Sequence, residues 1–160
     1  KSSKGHAKRV GVFVNASMEH VISKIESEKL DVAQLHGNES SDYCNQLLQY
    51  CEVIKAFGLH DEFDFERLIP YQGNVSYYLF DTKTVNHGGS GKTFNWEVLQ
   101  RYTGEKPFFL SGGITPETAE LIKKLNHPML FGLDINSGFE NSPANKNIDL
   151  IKTFIHDINS

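Results

Sequence analysis

Short apolar runs alternate with longer amphipathic stretches along the whole chain. Six runs rich in β-branched and aromatic residues are predicted as strands, at positions 9–15, 32–36, 53–57, 75–81, 107–111 and 129–134. Between them apolar residues recur at helical spacing, Ser17 and Thr115 stand where helix caps would, and a last helix is predicted over 148–158. This alternation is typical of parallel strands joined by helices, and it leaves a barrel and an open doubly wound sheet as alternatives.

Length, charge and cysteine usage narrow the class of protein. With 160 residues, no linker and no low-complexity segment, the chain is interpreted as a single domain over 1–160. The net charge of −4 is spread along the chain, so nucleic acid is not an expected partner. No apolar run approaches the ~20 residues that span a bilayer, so no membrane is expected either. Cys44 and Cys51 show neither metal-ligand nor disulfide spacing, which predicts packing roles in a reducing cytoplasm.

Polar residues end several of the predicted strands, where ligands of parallel α/β folds gather. Asp81 ends an apolar strand, where desolvation favours a role as a general acid, although a turn or capping aspartate is the simpler alternative. His36 ends another strand in QLHGNE. It could donate to a substrate oxygen or simply bond to a backbone carbonyl.

Two glycine-containing loops follow the last two predicted strands. Ser111-Gly112-Gly113 comes before the helix start ITPETAELI, and Asn136-Ser137-Gly138 follows the final strand. Glycines before a helix can bring backbone N–H groups against a phosphate, and phosphate sites of (β/α)₈ barrels are commonly built by the loops after the last two strands. The pair of loops therefore predicts a phosphate site.

A third glycine cluster, NHGGSGKTFNW at 86–96, allows a different function. It departs by one residue from the phosphate-binding loop G-x-x-x-x-G-K-[ST], because Asn86 stands where the first glycine should be. A P-loop-like nucleotide-binding protein would use Lys92 and Thr93 to hold phosphates and Mg²⁺. A glycine loop that closes over a site next to Asp81 is the favoured interpretation.

Taken in order, the motifs of this chain resemble those of the phosphoribosylanthranilate isomerase family. The matching stretches are RVGVFVN, LDVAQLHGNES, VIKAF, LFDTKTVNHGGSGKTFNW, LSGGITPE and GLDINSGFE. They cover nearly the whole chain. The resemblance implies an α/β (β/α)₈ TIM barrel, with the six predicted strands as strands three to eight of the family's barrel.

The resemblance also implies a reaction and roles for particular residues. The family converts N-(5-phosphoribosyl)anthranilate to 1-(2-carboxyphenylamino)-1-deoxyribulose 5-phosphate by an Amadori rearrangement in tryptophan biosynthesis, without metal or organic cofactor. Asp81 matches the family's general acid, and His36 matches a substrate-contacting histidine. The residues that match the phosphate-binding loops are Gly112, Gly113, Asn136 and Ser137. The implied ligand is a small phosphorylated substrate.

Two elements of the family pattern do not occur in this sequence. The family's base is a cysteine that ends the first strand, within a K-[IV]-C-G motif, and an arginine after the second strand helps to bind the anthranilate carboxylate. Neither Cys44 nor Cys51 matches the base. The 160 residues alone are therefore expected not to catalyse the reaction, which leaves three explanations: omitted residues (the favoured one), a truncated gene or a complementing partner. A catalytically dead phosphate-binding barrel fragment stays an alternative, and the sequence leaves monomer and homodimer open.

Overall fold

The computed structural model describes residues 7–82 and 96–160. Most of the glycine cluster at 86–96, with Lys92 and Thr93, lies outside the described residues, and so does the loop closure expected there. The chain divides into two compact units. Unit 1 consists of Lys1–Phe57 and Glu66–Leu79, and unit 2 consists of Gly58–Phe65 and Phe80–Ser160.

Six strands form a sheet in chain order. They are β1 (Val10–Phe13), β2 (Val32–Leu35), β3 (Glu52–Gly58), β4 (Tyr77–Asp81), β5 (Phe108–Ser111) and β6 (Leu130–Asp134). All six predicted strands are confirmed, with ends that differ by one or two residues. The pairings of β1 with β2, β2 with β3 and β5 with β6 are parallel. The carboxyl ends of neighbouring strands therefore meet at one edge in each unit.

In unit 1, helices α1 (Met18–Glu28) and α2 (Ser41–Leu47) follow β1 and β2. Ser17 caps α1 as predicted, since its hydroxyl accepts from the backbone N–H of His20. Ser40 caps α2 in the same way, through the N–H of Tyr43. Among the described residues of this unit, six core side chains are fully buried: Val21, Ala33, Leu35, Cys44, Leu47 and Val53. Apolar positions at helical spacing on α1 and α2 and the buried apolar residues of β2 and β3 supply this core.

In unit 2, helices α3 (Ala119–Leu125) and α4 (Ile148–Asn159) accompany β5 and β6. The last helix is confirmed within one residue. The helix predicted after Thr115 begins instead with a 3₁₀ turn (Pro116–Thr118), in which the Thr115 N–H donates to Thr118 Oγ1 over 3.1 Å. Other 3₁₀ helices of this unit span Trp96–Arg101 and Ser137–Phe139, and the 3₁₀ helix Phe65–Tyr71 lies almost entirely in unit 1.

A short antiparallel hairpin follows β6 and was not predicted. It pairs β7 (Glu140–Ser142) with β8 (Asn145–Lys146), and Ala144 in its turn has a positive φ of 64°. The segment is polar and its strands are too short to show alternation, so hydrophobic period carries no signal there. Among the described residues, no helix has the length and apolarity needed to cross a membrane.

Candidate active site

In unit 2, Thr82 connects the end of β4 to the end of β5 by hydrogen bonds. Its backbone N–H donates to Ser111 O over 2.9 Å, and its hydroxyl lies 3.0 Å from Ser111 O and 2.8 Å from Gly112 O. The indole N–H of Trp96 approaches the same hydroxyl at 3.4 Å. Thr82 is completely buried. These bonds hold the half-buried side chain of Asp81, one residue earlier, beside the loop that follows β5.

Gly112 is the point of closest approach between that loop and Asp81. A Cβ built on Gly112 would lie 2.3 Å from Thr82 O and 2.7 Å from Asp81 Oδ1. The residue also has a φ of +83°, and Gly113 follows with a φ of +64°. Only glycine combines this conformation with this lack of space. The structure therefore brings the Asp81 carboxylate together with the first of the two predicted phosphate loops.

The second loop lies against the first. Ser111 pairs with Asp134 in the β5–β6 register, and a Cβ on Gly138 would come 2.5 Å from Ile114 O. Asn136 stands at the start of the 3₁₀ turn Ser137–Phe139, and its carbonyl accepts from the Phe139 N–H over 3.0 Å. Gly112, Gly113, Asn136 and Ser137 thus belong to two loops in contact, as their positions after neighbouring strands predict.

Lys146 is a residue of this region that the sequence did not single out. Its ammonium donates to Asn136 Oδ1 and forms an ion pair with Glu140. The hairpin β7–β8 places it there, and because that hairpin has no hydrophobic pattern, nothing in the sequence pointed to the contact. The Asn136 side chain is therefore held by its oxygen, which leaves its amide N–H groups as the available donors.

In unit 1, His36 follows β2 and is half-buried. Its backbone N–H donates to Phe13 O over 2.9 Å, and its Nε2 lies 2.6 Å from Gln34 Nε2. The Gln34 amide therefore holds the imidazole ring through Nε2, and Nδ1 is the ring nitrogen outside this contact. The ring is thus paired with the side chain of Gln34.

The strand ends of unit 1 surround a buried ion pair. Glu39 and Lys55 lie 3.3 Å apart, with side chains 2% and 3% exposed, respectively. The Glu39 carboxylate accepts from the backbone N–H groups of Asn15 and Gly37, and the Lys55 ammonium donates to backbone carbonyls that include Gly37 O. Sequence reasoning missed both residues, because a single Glu in a loop and a single Lys in a strand have no periodic signature.

The two cysteines lie in unit 1 and are free thiols. Cys44 is fully buried in α2, and burial raises the pKa of its thiol to about 11. Burial also raises the pKa of the half-buried Cys51 thiol. A thiol that holds its proton at neutral pH is a poor base, so these environments agree with packing roles and with neither cysteine being the proton acceptor.

Comparison with known proteins places this geometry in a family. The family model described as N-(5'phosphoribosyl)anthranilate (PRA) isomerase matches residues 1–157. An N-(5'-phosphoribosyl)anthranilate isomerase from Parabacteroides distasonis is 51% identical over 152 residues, which are 94% of this chain and 69% of that protein. The crystal structure of phosphoribosyl anthranilate isomerase from Thermotoga maritima matches with a TM-score of 0.79 at 37% identity, over 95% of this chain and 73% of that one.

A further solved structure holds a ligand. It is a phosphoribosyl anthranilate isomerase in complex with reduced 1-(o-carboxyphenylamino)-1-deoxyribulose 5-phosphate, with a TM-score of 0.75 and 31% identity over 95% of this chain and 71% of that one. These likenesses confirm the α/β barrel fold class and the isomerase function that were predicted from the sequence, in place of the alternative of nucleotide binding. The chain belongs to the N-(5'-phosphoribosyl)anthranilate isomerase family, a family of TIM-barrel isomerases of tryptophan biosynthesis.

Proposed function

We propose that Asp81 is the general acid of the Amadori rearrangement of N-(5-phosphoribosyl)anthranilate, and that the two loops beside it hold the substrate's phosphate. The observation that carries this proposal is the position of Asp81 Oδ1, 2.7 Å from where a Cβ of Gly112 would stand. An acid at the edge of a phosphate loop can reach the sugar ring of a ribose 5-phosphate whose phosphate the loop binds.

In the proposed reaction the Asp81 carboxyl group protonates the furanose oxygen as the ring opens. The substrate's own nitrogen takes up the positive charge as an iminium, so acid–base groups suffice for the step. A base then removes the C2 proton, and the enolamine tautomerises to the ketone. Among the described residues we assign no base, because the free thiols of Cys44 and Cys51 both have raised pKa values.

Backbone geometry supports the phosphate assignment. Gly112 and Gly113 have consecutive positive φ angles, a conformation that glycine adopts readily and that lets the backbone approach a ligand closely. Gly138 and the adjacent Ser137 bring the second loop against the first. The related isomerase structure described above contains a ligand with a 5-phosphate, and a small phosphorylated substrate of the same kind is proposed for this chain.

His36 is proposed to contact the substrate with Nδ1–H. This proposal is supported by the contact with Gln34, which occupies Nε2 and leaves Nδ1 as the ring nitrogen outside that contact. We also propose a cytoplasmic location, since Cys44 and Cys51 are both free, as expected in a reducing compartment. The interpretation of residues 1–160 as a single barrel domain stays a prediction.

The test is replacement of Asp81 by Asn in the full-length protein. Loss of the substrate's anthranilate fluorescence measures turnover. We expect kcat to fall by about 10²-fold or more while KM changes little, because the amide keeps the shape of the carboxyl group but cannot supply its proton. Asp134→Asn, which alters the strand-end carboxylate of β6 in the same unit, should lower kcat by less than about 10-fold. Near-normal kcat for Asp81→Asn would refute the assignment.

A further inference from the structure

The buried charges of unit 1 bond almost entirely to backbone groups. Glu39 Oε1 lies 2.8 Å from the Asn15 nitrogen, and Oε2 lies 3.0 Å from the Gly37 nitrogen. Lys55 Nζ lies 3.3 Å from Leu35 O, 2.8 Å from Gly37 O and 3.1 Å from Ala56 O. These backbone groups belong to the carboxyl-terminal parts of β1, β2 and β3 and to the residues directly after them. The pair therefore ties three strand ends together.

Gly37 is bonded from both sides. Its N–H donates to Glu39 and its carbonyl accepts from Lys55, so the peptide group that follows His36 and the next one are each held by a buried charge. The Asn15 side chain packs against Gly37, since a Cβ on Gly37 would lie 2.3 Å from Asn15 Oδ1. That same Oδ1 accepts from the Asn38 N–H over 2.6 Å. The residue after His36 thus has little freedom to move.

Packing alone does not account for two charges at this place. Removing a carboxylate and an ammonium from water is unfavourable, and apolar residues of similar volume often replace such a pair without loss of stability. A charge-assisted hydrogen bond, however, fixes a backbone group more firmly than a neutral one. Here five charge-assisted hydrogen bonds and an ion pair hold the backbone around the loop that carries one proposed substrate contact.

We infer that Glu39 and Lys55 are positioning residues that fix His36 for the substrate by clamping the Gly37 peptide groups. This inference rests on the proposed function of His36. Neither side chain touches the substrate in this mechanism. Both act through His36, whose ring is oriented separately by Gln34.

The kinetic test is a double-mutant cycle between Glu39→Gln and His36→Ala in the full-length protein. Each Glu39 oxygen accepts one backbone N–H, from Asn15 or from Gly37. Gln has an NH₂ group in place of one of these oxygens, so one hydrogen bond is lost. Glu39→Gln should therefore lower kcat/KM by about 10-fold. In the His36→Ala background the same change should lower it by less than about 2-fold, because the residue being positioned is gone. An equal loss in both backgrounds would show a merely structural role and overturn the inference.

Two further variants guard against a simple folding defect. Glu39→Gln/Lys55→Met removes both charges and leaves no uncompensated buried ion, so it should fold even where one single variant does not. It should show the same dependence on His36. Lys24→Met is the matched control, since Lys24 forms an exposed i,i+4 pair with Glu28 in the same unit. Lys24→Met should leave kcat/KM unchanged when it is added to the wild type and when it is added to His36→Ala.

Hydrogen exchange of backbone amides tests the clamp without any activity. In Glu39→Gln the protection of the Gly37 and Asn15 amides should fall by about 10-fold or more, while amides of α1 keep theirs. Unchanged protection at both positions would overturn the clamp even if activity falls. A wild-type protein without isomerase turnover would refute the proposed function instead, and the exchange result would then decide the clamp by itself.

Discussion

The two units fix their strand ends by different physical means. In unit 1 two buried charged side chains, Glu39 and Lys55, bond to the backbone around Gly37. In unit 2 the corresponding edge is formed by neutral groups: the Thr82 hydroxyl bonds to Ser111 O, and Gly112 permits direct backbone contact. The arrangement in unit 1 depends on two side chains, so a substitution can remove a single charge or a single hydrogen bond. The arrangement in unit 2 depends on the absence of a side chain, which any substitution abolishes.

The difference matches the ligand groups proposed for each edge. A phosphate is recognised by backbone N–H groups that must come close to it, and glycine at positive φ gives that access. A histidine donor needs orientation rather than close backbone approach, and a charge-assisted clamp on the following residue provides it. The comparison can be tested first at the glycines, where the expected effects are largest.

Gly112→Ala is expected to give the largest loss of stability. The new Cβ meets Thr82 O at 2.3 Å, which is backbone and cannot swing away, and the φ of +83° disfavours alanine. Left-handed strain of about 1–3 kcal/mol and overpacking of about 1–3 kcal/mol together predict a loss of about 4 kcal/mol in the free energy of unfolding. Urea unfolding measures it.

Gly58→Ala is the matched control in the same unit, because a Cβ there meets nothing within 4 Å. It should change the free energy of unfolding by less than about 1 kcal/mol. If the two variants were equally stable, unit 2 would tolerate a side chain at its strand edge, and the contrast between the units would be wrong.

Gly113→Asp tests the phosphate loop with a smaller expected effect. Asp adopts a φ near +64° with less strain than most residues, so the fold should survive, while the new carboxylate opposes the substrate's phosphate. We expect KM to rise by about 30-fold, equivalent to roughly 2 kcal/mol. Gly113→Asn has the same shape without the charge and should raise KM far less. Equal KM values for both variants would place the phosphate elsewhere.

Much of the fold could be predicted from the sequence, because the spacing of apolar residues identifies strands and helices that bury one face. All six strands, the Ser17 cap and the last helix were predicted correctly. The hairpin of β7 and β8 and the 3₁₀ turn at Pro116 were not, since short polar elements depend on local hydrogen bonds rather than on a buried face. Lys92 and Thr93 lie outside the residues for which the structure can be compared with the prediction.

The residues of the candidate site that lie at or just after the ends of strands could be predicted from the sequence. Asp81 and the two glycine loops were identified because parallel topology gathers the residues after β4, β5 and β6. Glu39 and Lys55 were not, because their importance comes from burial and from bonds to backbone groups distant in sequence. Lys146 was missed for the same reason, since the hairpin that brings it to Asn136 carries no pattern of its own.

The smallest predicted effect concerns Cys44, which lies beside the charged network of unit 1. Burial raises the pKa of this thiol from 9.0 to about 11, so the folded protein holds the proton more tightly than the unfolded chain does. The stabilisation is fully present below about pH 9 and is lost as pH rises toward 11, because the unfolded chain ionises first. Cys44→Ala should remove this dependence, so that its free energy of unfolding falls by about 1 kcal/mol less than that of the wild type between pH 8 and pH 10.

Val21→Ala is the control, since it shortens another fully buried side chain of unit 1 without removing a titratable group. Its stability should run parallel to that of the wild type across this range, as measured by urea unfolding at each pH. If Cys44→Ala also ran parallel, the thiol would not be desolvated in the folded state, and burial would not disfavour its thiolate.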